Sequence, residues 1–435
     1  MCYFCGMTTV INCPGIDEFL APFQTYFHRS ESRDLAESYV TGLLMTGERK
    51  SVEPMSERVN ASERSMQRLL SNVKWDEQGV ASQYRRTMLG ATADPAGLLV
   101  IDDTGFPKKG RDSVCVARQY CGATGKTDNC QVGVSMSYVG TDAAWPYAME
   151  LFVPESWDKS DDAGCMALRK KTKMPETVRH KTKWEMALDL VDLARKDQVP
   201  HRAVLADSWY GTIPEFRQGL ANRGENYIVG VYSNTQVFLE APILEVQPAK
   251  EHKRGRPRKN PTVISTDPLP ILLSDIGESV ADDAWQRLEL RRNSRDKPLV
   301  AEAVSMRIWP ACGWRQGNLR EQVWLLVERR RLTQGGYELR YFFSNMPQHL
   351  PTIDLARLYH ERYWIEQGYQ QLKEELGLDH HEGRSWIGWH RHVLLVFMAY
   401  GYLSLLQLQE KKLLLTGKWK EWLQSRSILG REYFT

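Results

Sequence analysis

Three places in the 435-residue chain put carboxylates where packing alone does not account for them. Asp102 and Asp103 close the apolar run of LLVIDDTG, and Asp207 closes that of VLADSWYG. An acid beside a buried strand needs a cation, a partner or water, although an aspartate at a strand end is also a common turn former. The third place is Glu366. Starting from Tyr359, the residues Arg362, Glu366 and Lys373 follow at three, seven and fourteen positions in a segment that reads as one helix. At about 100° per residue all four fall within an arc of roughly 60°. Such a face presents a phenol, two cations and a carboxylate together. A solvated helix with an ordinary i,i+4 pair between Arg362 and Glu366 has the same pattern. Three carboxylates are hard oxygen ligands of the kind magnesium accepts, with no histidine or cysteine cage.

The spacing Y-(2)-R-(3)-E-(6)-K, met by Tyr359, Arg362, Glu366 and Lys373, resembles the signature of DDE transposases of bacterial insertion sequences. The resemblance covers roughly residues 97 to 400, since the family also places one acid in an Asp-Thr step after the first strand and a second after a later strand. Here these are Asp103-Thr104 and Asp207, with Asp102 as an alternative to Asp103. It implies a catalytic and metal-binding triad of Asp103, Asp207 and Glu366, and two Mg2+ ions for which Mn2+ substitutes. Two such ions about 3.5–4 Å apart stabilise both the attacking and the leaving oxygen at phosphorus. It further implies that Tyr359, Arg362 and Lys373 hold phosphates at the transposon end. The guanidinium does so through a fork of donors and the ammonium as a point charge. The implied partner is double-stranded DNA, as transposon ends and target, gripped by a homodimer.

The elements that must position these groups divide the chain into five parts. Residues 1–95 read as helical, and within them VEPMSERVNASERSMQRLLSNV has the punctuation of a helix-turn-helix. One helix ends near Arg58, a turn follows at Asn60 and Ala61, and Ser62 can cap a second helix. Arg64 and Arg68 then share a face available to DNA, while Met66, Leu69 and Leu70 turn inward. Residues 96–233 begin with a strand buried on both faces. Further strands follow, then helix, strand, helix and strand, the succession of a ribonuclease-H-like α/β fold with a mixed sheet and flanking helices. Residues 234–336 read as a β-rich insertion, in which EQVWLLVERRR begins a hairpin completed by YELRYFFSN. Residues 337–412 complete the catalytic domain with the glutamate helix, and 413–435 form a tail.

Basic segments supply further DNA contacts. Lys108 and Lys109 follow the first acid. Arg254, Arg256 and Arg258 lie in KRGRPRK, which resembles the R-G-R-P core of minor-groove AT-hook segments. Trp309, Trp314 and Trp324 fit core packing better than stacking on a base. His380, His381, Glu382, His390 and His392 lack the spacing of a zinc protease site.

Whole-chain properties narrow the class. Hydrophobic residues make up 42% and charged residues 26%, far from the signature of disorder. A net charge of +3 makes any nucleic-acid argument a local one. No secretory signal or long membrane span is read, and the helix HRHVLLVFMAYGYLSLLQLQ is expected to pack inside the protein, so an intracellular protein is expected, and the resemblance implies a bacterial, cytoplasmic, nucleoid-associated one. Cys2, Cys5 and Cys13 lack a second pair at zinc-finger spacing and are expected free. The rival functions are a carboxylate-dependent nuclease without strand transfer and a domesticated DNA-binding protein.

Overall fold

The computed structural model describes residues 15–247, 262–292, 298–316 and 320–416. Cys2, Cys5, Cys13, Arg254, Arg256, Arg258 and the tail beyond 416 lie outside the described residues. The chain forms two compact units. The first comprises Met1–Gly97, Asp102–His201 and Trp364–Thr435, and the second Leu98–Ile101 and Arg202–Tyr363.

The first unit opens with helices α1 (Ile16–Leu20), α2 (Ser30–Leu44), α3 (Val52–Arg58), α4 (Glu63–Ser71) and α5 (Glu77–Thr92). Asn60, at φ 51°, turns the chain between α3 and α4, a left-handed conformation that asparagine tolerates. The Ser62 hydroxyl then accepts the Ser65 N–H at 3.3 Å and starts α4,. Met66, Leu69 and Leu70 are buried, whereas Arg64 and Arg68 are exposed.

Strand β1 (Leu98–Pro107) begins in the second unit and ends in the first. In the first unit it lies beside β3 (Lys126–Val139), which pairs antiparallel with β2 (Ala117–Cys121) and β4 (Ala144–Leu151). Helices α6 (Ala163–Lys171) and α7 (Lys183–Lys196) follow. A capping box fixes the start of α7, with Thr182 and Glu185 exchanging side-chain to backbone bonds,.

The second unit continues with β5 (Ala203–Ala206), α8 (Ser208–Thr212), α9 (Pro214–Asn222), β6 (Tyr227–Val231) and β7 (Gln236–Phe238). Strands β8 (Ile243–Gln247) and β9 (Thr262–Asp267) form a separate pair. Then come β10 (Ile271–Leu272), α10 (Leu273–Ser279), β11 (Gln286–Arg292), β12 (Pro298–Pro310), β13 (Val323–Arg331), β14 (Tyr337–Ser344) and α11 (Thr352–His360). The sheet here runs β10-β7-β12-β13-β14-β6-β5-β1, with β11 beside β12. Strands β1, β5 and β6 are parallel and the other pairings antiparallel. Leu98 to Ile101 and Ala203 to Ala206 are buried, as continuous apolar runs in a sheet covered on both faces should be. The hairpin of β13 and β14 closes with Arg331 opposite Tyr337. Its strands extend the same sheet through the pairing of β14 with β6.

The last described elements are α12 (Tyr363–Gln370), a π-helical turn at Gln371–Glu375 and α13 (Trp386–Thr416). Residues Trp386–Lys412 are long and apolar enough to cross a membrane, yet two thirds of that apolar window is buried inside the protein. Within the first unit α13 packs on α2, α4, α5 and β4. Arg391 donates to the carbonyls of Leu69 at 2.8 Å and Leu70 at 3.4 Å, pairs with Glu77 and lies over Trp75.

One expectation is corrected. Tyr359, Arg362, Glu366 and Lys373 do not share one continuous helix. Tyr359 is on α11, Arg362 is in the turn at 361–362, Glu366 is on α12 and Lys373 is in the π turn. A step of 100° per residue assumes an unbroken α-helix, and a π turn takes in one residue more. The bulge lets Leu372 stay buried while Lys373 reaches β1.

Candidate active site

In the second unit, Ile101 of β1 stands opposite Ala206 of β5. Asp207, the next residue, caps α8: its Oδ1 accepts the N–H groups of Trp209 at 3.0 Å and Tyr210 at 3.1 Å. Helix α8 lies directly on β6 because both contacting positions are glycine. A Cβ on Gly211 would meet the Gly230 carbonyl at 1.9 Å, and one on Gly230 would meet the Ser208 hydroxyl at 2.6 Å. The residue types around Asp207 thus set its backbone, while one carboxylate oxygen orients the turn.

In the first unit, Asp103 and Asp102 are both half-buried but differently engaged. Asp102 Oδ1 accepts the Asp103 N–H at 2.8 Å. Asp103 Oδ2 instead accepts from Lys183 Nζ at 2.9 Å. Neighbouring residues of a strand point to opposite faces, so only one of the two serves a given site. Lys183 is the first residue of α7 and was not singled out by the sequence. The Thr182–Glu185 capping box was a readable signal for the start of α7, but nothing local says what its first side chain meets.

Glu366 is exposed in the first turn of α12. The segment that carries it is tied to the strand that carries Asp103. Lys373 Nζ donates to the Gly105 carbonyl at 3.0 Å and lies 5.5 Å from the Phe106 ring centre, while Tyr369 and Ser135 share a hydrogen bond of 2.7 Å. Burial lowers the pKa of Lys373, with Asp379 opposing the shift. An ammonium has three donors, and Gly105 takes one.

Tyr359 and Arg362 belong to the second unit and are half-buried. The Tyr359 ring packs 4.2 Å from that of Phe342 on β14. Next to it, His360 Nε2 and Arg330 Nε reach the fully buried Glu328 carboxylate of β13 at 2.6 and 2.7 Å.

Beside the end of β1, Lys108 Nζ donates to the His381 carbonyl at 2.7 Å, and burial lowers its pKa. Lys109 is exposed. Both line a pocket of about 510 Å³ whose other charged residues are Arg49, Arg111, Arg384, Asp112, Asp379 and Glu382. The nearby histidines pack. His392 is bonded to the Tyr39 hydroxyl and to the carbonyls of Gly377 and Leu378, and burial drops its pKa to about 4. Trp314 packs on Phe238, and Trp324 lies under Arg307. Cys115, Cys121, Cys130, Cys165 and Cys312 are free thiols.

The family model of the DDE superfamily endonucleases matches residues 22–297, more than half of the chain. This chain belongs to the DDE endonuclease superfamily. The match spans both aspartate-bearing strands of this endonuclease. A "Probable transposase for insertion sequence element IS701" from Microchaete diplosiphon is 24% identical over 365 residues, covering 83% of this endonuclease and 80% of that protein. The resemblance to DDE transposases of insertion sequences is thereby borne out at the level of the family. Among solved structures, a piggyBac transposase synaptic complex with hairpin DNA aligns over 94% of this endonuclease and 78% of that chain, at 13% identity and a TM-score of 0.37.

Proposed function

We propose that this endonuclease is a DNA transposase. It binds the terminal inverted repeats of an insertion sequence, cleaves the element's ends and joins their 3′ hydroxyls to target DNA. What supports this is membership of the DDE endonuclease superfamily, with Asp103 on β1 in the first unit and Asp207 capping α8 after β5 in the second. The fold is proposed to be ribonuclease-H-like, and the setting the bacterial cytoplasm. Asp103, Asp207 and Glu366 are proposed to act together.

Among the described residues no three His, Cys, Asp or Glu side chains stand close enough to hold a metal ion. The donor set nevertheless fits a hard divalent ion, because Asp103 already holds a cation, the Lys183 ammonium,. Asp103, Asp207 and Glu366 would hold two Mg2+ or Mn2+ ions, which supply activation of the attacking oxygen and charge stabilisation at phosphorus. Arg362, Lys373 and Tyr359 are proposed to contact phosphates of the transposon end. Lys108, Lys109 and the Arg254, Arg256, Arg258 segment add contacts to the DNA backbone and minor groove, and a homodimer pairs the two ends. In an assay with magnesium and DNA bearing the element's own ends, cleaved ends and joined products are expected. Cleavage without joining would leave a nuclease, and binding without cleavage a DNA-binding protein.

Helix α4 presents Arg64 and Arg68 to solvent opposite a buried apolar face. With both changed to alanine in the full chain, the slope of log affinity against log salt should fall by about two units, because each lost phosphate contact removes about one. Preference for terminal-repeat over scrambled DNA should fall as well. An unchanged preference would reduce α4 to a non-specific clamp.

Arg362→Ala should lower the same slope by about one unit and slow cleavage. Arg362→Lys should restore only part, since the charge returns without the fork. An unaltered slope with normal cleavage would remove Arg362 from the phosphate contacts.

A further inference from the structure

We propose that Lys183 is the resident counter-cation of Asp103, which a divalent ion must displace to reach that carboxylate. The proposal rests on Asp103 being a metal ligand.

Lys183 Nζ lies 2.9 Å from Asp103 Oδ2, with side-chain exposures of 16% and 21%. The lysine is delivered by structure formed independently of Asp103. Thr182 and Glu185 close a capping box that sets the first turn of α7, and the ammonium lies 5.8 Å from the centre of the Phe152 ring. A half-buried carboxylate without a counter-charge is costly, and the lysine removes that cost. It also places a positive charge on the oxygen that a divalent ion would bind. A lysine suits such exchange: it is a point charge on a flexible stem, whereas an arginine fork would bind the carboxylate through two parallel bonds.

The two side chains therefore predict opposite effects on metal affinity. Manganese binding to the full-length protein without DNA can be read from the electron paramagnetic resonance signal of free Mn2+. Lys183→Met keeps the stem over Phe152 and removes the competing charge, so Mn2+ should bind about three- to fivefold more tightly, the scale of a partly exposed ion pair. Lys183→Arg should weaken Mn2+ binding by a similar factor. The metal-free melting temperature should fall in Lys183→Met, and Mn2+ should recover more of it than in the wild type. Asp103→Asn is the reference. If it leaves Mn2+ binding intact, Asp103 is not a ligand and the inference falls with that assignment. If it abolishes binding while Lys183→Met binds Mn2+ equally or more weakly, Asp103 remains a ligand and the counter-cation role is overturned. Should Lys183→Met not fold, Lys183→Arg decides alone: unchanged or tighter binding overturns the proposal.

Discussion

Asp103→Asn, Asp207→Asn and Glu366→Gln should each lower DNA cleavage by about 10²–10³-fold or more, while end binding changes only a few-fold. A loss of that size is typical when one preorganised group that stabilises transition-state charge is removed, about 2.7–4 kcal/mol of barrier. The amides keep the shape of the acids and remove the charge that a divalent ion needs. Their structural side effects differ and can be separated. In Asp207→Asn the new amide oxygen can still accept the N–H groups of Trp209 and Tyr210, since asparagine is as good a helix cap as aspartate, so the cap on α8 should survive. In Glu366→Gln the new side chain stands on an exposed face, and this variant should also fold normally. Asp103→Asn takes the counter-charge from Lys183 and should lower the melting temperature as well as the rate. Asp102→Asn is the internal control, because its carboxylate serves the Asp103 N–H and cleavage should survive. Full activity in any of the three triad variants would exclude that residue, and an active Asp103→Asn with an inactive Asp102→Asn would transfer the role to Asp102.

The second large effect is on stability. Glu328→Ala should cost about 3–5 kcal/mol, the range for removing one partner from a buried charged cluster, because Arg330 and His360 would lose the carboxylate they share. Burial alone would raise the pKa of Glu328, but its bonds and attraction to His360 and Arg330 outweigh burial and hold it below the ordinary carboxylate value. A lowered folded-state pKa gives stability that is fully present above the unfolded value and is lost as pH falls through the folded one. Urea titrations at pH 7 and at successively lower pH should therefore show the gap between wild type and Glu328→Gln closing below the normal carboxylate range. Equal stability of the two proteins at pH 7 would mean that the cluster contributes nothing net.

Much of this site was readable from local chemistry. Buried strands advertise themselves by continuous apolar runs, so the apolar half of β1 and the end of β5 were visible in sequence, but β1 does not stop at the acids as expected: it runs on through Asp103 to Pro107. Ser62 as a cap and the turn at Asn60 were visible too, because capping and left-handed turns depend on a few adjacent residues. Glu366 was found by spacing, but its setting was not. No glycine or proline marks the break between α11 and α12, and the π turn buries Leu372 while Lys373 reaches the Gly105 carbonyl far away in sequence. Lys183 was missed for the same reason. A first-turn lysine looks solvated until the fold brings Asp103 to it. Arg391 gave no signal that it would cap the carbonyl end of α4.

That last contact sets an order of events during synthesis. Arg391 and Leu70 are 321 residues apart, so a ribosome adding about 5–20 residues per second needs roughly 16–64 s between making the two. Through that interval the apolar side of α4 has emerged without the helix that covers it. The amino-terminal helices can reach their final packing only once α13 has been made. A chain cut short before α13 would carry both aspartates and the glutamate, yet leave Met66, Leu69 and Leu70 without the helix they pack against, as bait for chaperones and proteases.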